Sequence, residues 1–342
     1  MVTVAVDAMG GDYAPNEIVK GVVQALYASE KLKVQLVGKK DILQNLLEAH
    51  PFPENQLELV SAKEEIAGDD DPGLTIRRKK DASMVVALKQ VSEGKAEAVL
   101  SAGNTGALMA GGLLFLGRIS GISRPALLTI LPTFWGDGVA VLDVGANMDA
   151  KPEQMLQYAY MGKAYAEEIL KKDNPRVGLL NVGTENNKGN EKSRKTFELF
   201  DEYVINFCGN VEGNQVFKGT DVDVLVCDGF AGNVLLKTAE GISQGIFDVL
   251  KKEFTQNLKN KVGAMLLSGS FRNFNNKMDV SEYGGAPLVG VNGICIKCHG
   301  ASHSRAIEKA LLDQVCPWIE SGVNQIFSKE LHESGLLKKG LS

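Results

Sequence analysis

The chain has 342 residues, 44% of them hydrophobic, and a formal net charge of -5, so it can bury a large core and lacks the basic surface of a typical nucleic-acid binder. It opens MVTVAVDAM with strand residues and no basic leader, and no apolar stretch approaches the ~20 residues of a membrane-spanning helix, so a cytoplasmic protein is expected. Five cysteines, an odd number without an export signal, are expected to be reduced thiols.

Strand and helix signals alternate along the chain. Val2 to Asp7 reads as a strand, the Gly10-Gly11 loop leads through Pro15 into a helix from about Asn16 to Glu30, and strands at Lys33 to Val37 and Leu57 to Ser61 flank a helix at Lys40 to Ala49. Glu64 to Lys80 is irregular, with acidic Asp69, Asp70 and Asp71 set close to basic Arg77, Arg78, Lys79 and Lys80. Asp81 is the expected N-cap of a helix reaching Val91. A strand at Ala96 to Ser101 feeds a helix at Ala107 to Leu116. Ala126 to Leu131 and Gly138 to Asp143 read as strands joined by a Gly-Asp-Gly turn, which predicts antiparallel pairing and excludes a purely parallel sheet.

Pro152 opens a helix to about Lys171, Arg176 to Val182 is a strand, and Glu191 to Tyr203 is a helix. Strands follow at Ile205 to Asn210 and Asp223 to Cys227, then a long helix from Gly232 to about Lys252. The stretch 253–281 is read as an amphipathic insertion, apolar at Val262, Met265, Leu266 and Leu267 and basic at Lys259, Lys261, Arg272 and Lys277. Such a face fits either an anionic membrane surface or a homodimer partner. Tyr283 to Pro287 reads as a loop, Gly290 to Cys298 as a strand, Ser302 to Phe327 as a closing helix and Gly335 to Ser342 as a mobile tail. The whole is expected to be one α/β domain of two lobes, residues 1–342.

Four stretches share a ligand-loop pattern of apolar strand, glycine-bearing loop and helix start: Asp7 with Gly10, Gly11 and Asp12; Ser101 with Gly103, Asn104, Thr105 and Gly106; Gly183, Thr184, Glu185, Asn186, Asn187, Lys188, Gly189 and Asn190; and Asp228 with Gly229, Gly232 and Asn233. In an open parallel sheet such loops gather at the carboxyl ends of the strands, and their N–H groups, amides and Lys188 suit an oxyanion. A fifth segment, LDVGANMDAKPE, delivers Asp143, Asn147 and Asp149. The aspartates Asp7, Asp143 and Asp228 are expected to fix loops rather than to act as bases. No phosphate-binding P-loop, dinucleotide fingerprint or nucleophile elbow is present. His50, His299, His303 and His332 lie outside the four loops, which argues against a histidine base. Cys295, Cys298 and His299 spell a haem-attachment pattern, but the alternation from Gly293 to Gly300 reads as a strand and no second pair completes a zinc site, so these cysteines are read as structural and no metal or cofactor is expected.

AVDAMGGDYAP, RRKKDASM, SAGNTGALM, RPAL, LDVGANMDAKPE, LLNVGTENNKGNE, CDGFAGNVLLKT and YGGAPL, in this order from Val2 to about Ser304, resemble the bacterial phosphate acyltransferase family (PlsX) of phospholipid synthesis. The resemblance implies a three-layer αβα Rossmann-like fold with a mixed, mostly parallel sheet, related to isocitrate and isopropylmalate dehydrogenases. It implies transfer of a long-chain acyl group from acyl carrier protein to inorganic phosphate by direct attack, and a homodimer lying peripherally at the cell membrane, upstream of a glycerol-phosphate acyltransferase. Lys188 and Asn233 are then the expected catalytic pair. Asp7, Gly10, Gly11, Asp12, Ser101, Gly103, Asn104, Thr105, Gly106, Asn147, Gly183, Thr184, Glu185, Gly189, Asn190, Asp228, Gly229 and Gly232 line the substrate cleft, and Arg77 to Lys80 dock the acidic carrier. The rivals are an acyl-coenzyme A phosphate acyltransferase, a metal- and dinucleotide-dependent dehydrogenase, and a catalytically silent scaffold at the membrane surface.

Overall fold

The computed structural model describes residues 1–219, 221–278 and 283–333. The tail Gly335 to Ser342, the last residues of the expected insertion, 279–281, and the side chains of Arg272 and His332 lie outside what is described. The first block of elements runs β1 (Val2–Asp7), α1 (Asn16–Ala28), β2 (Leu32–Gly38), α2 (Lys40–Glu48), β3 (Leu57–Ser61), α3 (Pro72–Arg78), α4 (Ser83–Ser92), β4 (Ala98–Ser101) and α5 (Thr105–Gly111). The middle runs β5 (Ala126–Leu131), β6 (Val139–Leu142), α6 (Pro152–Glu168), β7 (Val177–Asn181), α7 (Glu191–Tyr203), β8 (Phe207–Glu212), α8 (Gly213–Val216), β9 (Val224–Val226) and α9 (Gly229–Thr255). The chain continues through α10 (Leu258–Leu266), α11 (Ser268–Met278), β10 (Ala286–Val289), β11 (Ile294–Lys297), α12 (Ser304–Lys309), α13 (Cys316–Ser321) and α14 (Val323–Glu333).

These strands form one 11-stranded sheet in the order β3-β2-β1-β4-β11-β10-β5-β6-β9-β7-β8. It is parallel from β3 to β11 and again from β6 to β8. Between these blocks, β11 to β10, β10 to β5 and β5 to β6 are each antiparallel. Three reversals leave the two parallel blocks running in opposite directions, so their carboxyl ends leave opposite edges of the sheet.

Alternation along the strands sorts side chains to the two faces. Val4 and Val6 enter a core with α1, α6 and Phe200 of α7 that runs unbroken under both blocks, whereas Ala5 faces the opposite side. On that opposite side the core is split. One cluster packs Val37, Val99 and Cys295 beneath α4 and α5, and a separate one packs Leu127, Val141 and Leu225 beneath α9. Helices on both faces make three layers, and the core on the second face is divided into two clusters.

Several boundaries differ from the sequence expectation. The stretch Pro72–Arg78 is a short helix, capped by Asp71 accepting from Leu74 N at 2.8 Å. The helix after it is preceded by Ala82 rather than capped by Asp81, whose carboxylate instead accepts from Lys63 N at 3.3 Å. Ala286–Val289, within and beyond the expected loop, is a strand, and Gly290 and Gly293, at φ of 93° and 146°, form the turn that leads to β11. The expected closing helix is broken at Gly322, φ 65°. In residues 253–278, α10 packs on α9 and Lys277 of α11 donates to Phe134 O, while Leu258, Met265 and Leu266 are largely exposed.

Candidate active site

The best-organised loops follow β6, β9 and β7, neighbouring strands of the second parallel block. Asp143 is fully buried and accepts backbone N–H bonds from Leu127 (2.9 Å), Gly145 (3.1 Å), Ala146 (2.9 Å) and Asn147 (2.6 Å). Burial pushes its pKa up, against the pull of these bonds. The Asn147 side chain is likewise engaged, donating to Pro125 O at 2.6 Å and to Tyr158 Oη at 2.9 Å. Both residues therefore shape the loop. Asp228 caps α9 through Ala231 N (2.9 Å), and Gly229 N donates to Asn147 O (2.9 Å).

Gly232 explains why α9 can start here. A Cβ on it would lie 2.0 Å from Asp143 O and 2.8 Å from Cys227 Sγ, so only glycine lets the helix dock against the β6 loop. The next residue, Asn233, directs its amide toward Gly145, at which an added Cβ would lie 3.7 Å from Asn233 Oδ1.

The β7 loop holds Lys188. Asn181, the last residue of β7, donates from Nδ2 to Lys188 O (3.2 Å) and to Asn210 Oδ1 (3.1 Å), while Asn210 Nδ2 donates to Glu185 O (2.9 Å). Gly189 has φ of 86° and passes so close to Asn181 that a Cβ would meet its Oδ1 at 2.5 Å. Asn190 caps α7 by accepting from Ser193 N at 2.8 Å. The Lys188 side chain is half exposed, with Nζ 3.6 Å from Glu185 Oε1; Gly183 packs against both side chains, and Thr184 is exposed.

Lys192, on the first turn of α7, joins these loops. Its ammonium contacts Asp228 and lies 2.8 Å from Asp149 Oδ1. Burial alone would lower its pKa, but the two carboxylates outweigh that and raise it. Nothing in the sequence distinguishes Lys192 from the solvated basic positions around it on α7.

The remaining predicted residues belong to the loops after β1 and β4, in the oppositely directed block. Gathering of all the glycine loops at one rim is therefore corrected by the three antiparallel pairings. Asp7 is buried and accepts from Ser101 Oγ (2.6 Å) and Met9 N (3.2 Å); burial raises its pKa against these bonds. Ser101 Oγ accepts from Gly103 N (3.0 Å), and a Cβ at Gly10 would lie 2.7 Å from that same nitrogen. Gly11 has φ of 114°, and Asp12 N donates to Gly300 O at 2.8 Å. Asn104 caps α5 at Ala107 N (3.0 Å) and donates to Gly68 O and Asp70 O, while Gly106, beside Thr105, packs against Pro72. Asn104 and Gly106 thus tie the acidic-basic segment to the β4 loop. Within that segment Arg77, Arg78 and Lys80 are exposed, but Lys79 turns back onto Asp70 (2.7 Å) and Glu65 O (3.0 Å).

α9 connects the two blocks. Lys237, two turns in, places Nζ 3.3 Å from His299 Nε2 at the end of β11, and 2.6 Å from Glu240 Oε2. Burial, then the Lys237 charge, lowers the His299 pKa. A histidine therefore does stand beside the first-block loops, brought there by strand pairing that local sequence does not reveal. Next to it, Lys297 is buried and donates to Ala102 O and Cys298 O, with its pKa pushed down to about 8 by burial. Cys295 and Cys298 are buried free thiols whose pKa values burial pushes up to about 12. No cluster of three or more His, Cys, Asp or Glu residues suited to a metal occurs among the described residues.

The α/β fold thus carries Lys188 after β7 and Asn233 after β9, two adjacent parallel strands. Residues 2–325 match the family model described as "Fatty acid synthesis protein". The chain is 48% identical to the phosphate acyltransferase of Brevibacillus brevis over 97% of its own length and 98% of that protein, and 50% identical to that of Heliobacterium modesticaldum over 90% and 91%. Among solved structures, a phosphotransacetylase from Streptococcus pyogenes superposes with a TM-score of 0.61 at 15% identity, covering 94% of each chain; a branched-chain phosphotransacylase from Enterococcus faecalis gives 0.55 at 14%, covering 93% and 99%. These two share the fold. The chain belongs to the phosphate acyltransferase family of fatty acid and phospholipid synthesis and is an enzyme of that class.

Proposed function

We propose that the protein transfers a long-chain acyl group from acyl carrier protein to inorganic phosphate. A phosphate oxygen attacks the thioester carbonyl, the carbon–sulfur bond breaks, and the carrier leaves as its thiolate while acyl phosphate forms for a downstream glycerol-phosphate acyltransferase. Lys188 neutralises phosphate or the developing oxyanion, and Asn233 donates its amide to that oxyanion. Holding phosphate and thioester side by side makes the attack effectively unimolecular. The observation that carries the assignment is that Lys188 and Asn233 follow the adjacent parallel strands β7 and β9 and that Lys192 links their loops through Asp228.

The loops with Gly10, Gly11, Asp12, Ser101 and Gly103 extend the site from the first block, which α9 reaches where Lys237 meets His299. Exposed Arg77, Arg78 and Lys80 beside them are the docking face for the acidic carrier. Acyl phosphate formation is measured with acyl carrier protein and with acyl-coenzyme A as donor, for the parent, Lys188→Ala and Asn233→Ala. Loss of about 10²–10³ in kcat for each variant is expected; a fully active Lys188→Ala removes the assignment, and a preference for the coenzyme A thioester removes the carrier.

The exposed apolar positions Ile242, Ile246 and Val249 of α9 and Leu258, Val262 and Leu266 of α10 serve a homodimer or a peripheral membrane contact. No helix among the described residues is long and apolar enough to cross a membrane. Vesicle sedimentation and oligomeric state of Leu266→Glu separate the two roles: loss of vesicle binding marks lipid, and a monomer marks the dimer.

A further inference from the structure

We infer that Lys192 is a positioning residue that sets the Lys188 loop against the start of the Asn233 helix. The need for such a residue follows from the sheet. The ladder between β7 and β9 ends at Leu179 opposite Val226, so Lys188, nine residues further on, and Asn233, seven further on, are not aligned by main-chain pairing. Each loop is firm within itself. Asn181 and Asn210 hold the Lys188 loop to β7 and β8, and Gly229, Gly232 and Asp143 lock the start of α9 to the β6 loop.

Between these two units lies the Lys192 ammonium. Asp228 uses one carboxylate oxygen to cap α9 at Ala231 N and the other to receive Lys192, so a single side chain fixes both the helix start and its link to α7. The Lys192 side chain is 25% exposed and that of Asp228 16%, which keeps this contact largely out of bulk solvent, whereas Asp149, at 92%, adds little. The Lys192 carbonyl accepts from Thr196 Oγ1 at 2.8 Å, and Thr196 is itself buried, so the turn presenting the ammonium is anchored too. Displacing Lys188 relative to Asn233 by an ångström leaves phosphate and oxyanion donor out of alignment, a misplacement that can cost about 10²-fold.

This inference rests on Lys188 and Asn233 acting as proposed above, and a double-mutant cycle separates the two ideas. Acyl phosphate formation is measured for the parent, Lys188→Ala, Lys192→Met and the double variant, with KM for phosphate determined for each and thermal unfolding as the folding control. Lys192→Met is expected to lower kcat by about 10- to 10²-fold with KM nearly unchanged, to cost almost nothing further in the Lys188→Ala background, and to be largely rescued in Lys192→Arg, whose guanidinium can still reach Asp228. An equal cost in both backgrounds, or no cost in either, overturns positioning while leaving Lys188 in place. A Lys188→Ala protein with parental activity instead refutes the catalytic assignment itself. Should Lys192→Met fail to fold, Lys192→Gln takes its place in the same cycle and is judged by the same outcomes, with Lys192→Arg still the rescue variant.

Discussion

Gly232→Ala provides a sharp test of the site geometry, because its effect can be worked out from one contact. The added Cβ would sit 2.0 Å from Asp143 O, and carbons essentially never approach a heavy atom closer than 3.0 Å, so α9 or the β6 loop must yield by at least about 1 Å. The loop is the stiffer partner, since Asp143 is buried and bonded to four backbone N–H groups. The helix start therefore moves, and it carries Asn233 as the very next residue. A shift of that size at the proposed oxyanion donor corresponds to roughly 10²-fold in kcat. Gly241→Ala and Gly245→Ala on the same helix are the controls: nothing lies within 4 Å of a Cβ at either, so they should leave kcat unchanged and add stability of about 0.5–1 kcal/mol from helix propensity alone. Initial rates of acyl phosphate formation and thermal unfolding are measured on all three. A folded Gly232→Ala enzyme with parental kcat would refute the claim that this contact sets the position of Asn233.

Asp143→Asn exchanges an acceptor oxygen for an NH₂ group, leaves buried N–H groups unpaired, and should destabilise the fold by about 2–4 kcal/mol in urea unfolding; an unchanged midpoint would show that the loop does not depend on the carboxylate. In the proposed mechanism Glu185, 3.6 Å from the Lys188 ammonium, competes with phosphate for it, so Glu185→Gln should lower KM for phosphate by up to about fivefold, with the gain shrinking as salt rises; a raised KM would instead make Glu185 a ligand. Lys297 titrates at about 8 when folded against 10.5 as an ordinary lysine. The folded value is the lower, so the unfolded chain holds the extra proton between those limits and stability rises with pH through that window, by about 3 kcal/mol if the whole shift is realised. The unfolding free energy of the parent minus that of Lys297→Met should climb between pH 8 and 10, and a flat difference contradicts the burial cost.

Local signals carried much of the fold. Glu191–Tyr203 and Leu57–Ser61 fall where apolar periodicity and flanking turn residues put them, and Pro152 begins α6, because in each case the cue lies within the element itself. The antiparallel pair at β5 and β6 was legible from its Gly-Asp-Gly turn. Ala286–Val289 was not: glycines and a proline crowd its start, and what makes it a strand is pairing with β5 and β11 on either side. That strand is decisive, since with it the sheet reverses three times and the loops after β1 and β4 leave an edge opposite to those after β6, β7 and β9.

The same division applies to the site. The strand-glycine-helix pattern marked each loop separately, because glycine close approaches and N-caps are local necessities. Which loops meet depends on strand order, and that is written nowhere in a single segment. Asn104 and Asn147, both expected to face substrate, spend their side-chain amides on the scaffold instead, on Gly68 O and Asp70 O in one case and on Pro125 O and Tyr158 in the other. Conversely Lys192, Lys237 and His299 gain their significance from partners 36 to 62 residues away. An asparagine or lysine in a loop offers the same chemistry to a ligand and to a neighbouring carbonyl, and only the fold decides which of the two it reaches.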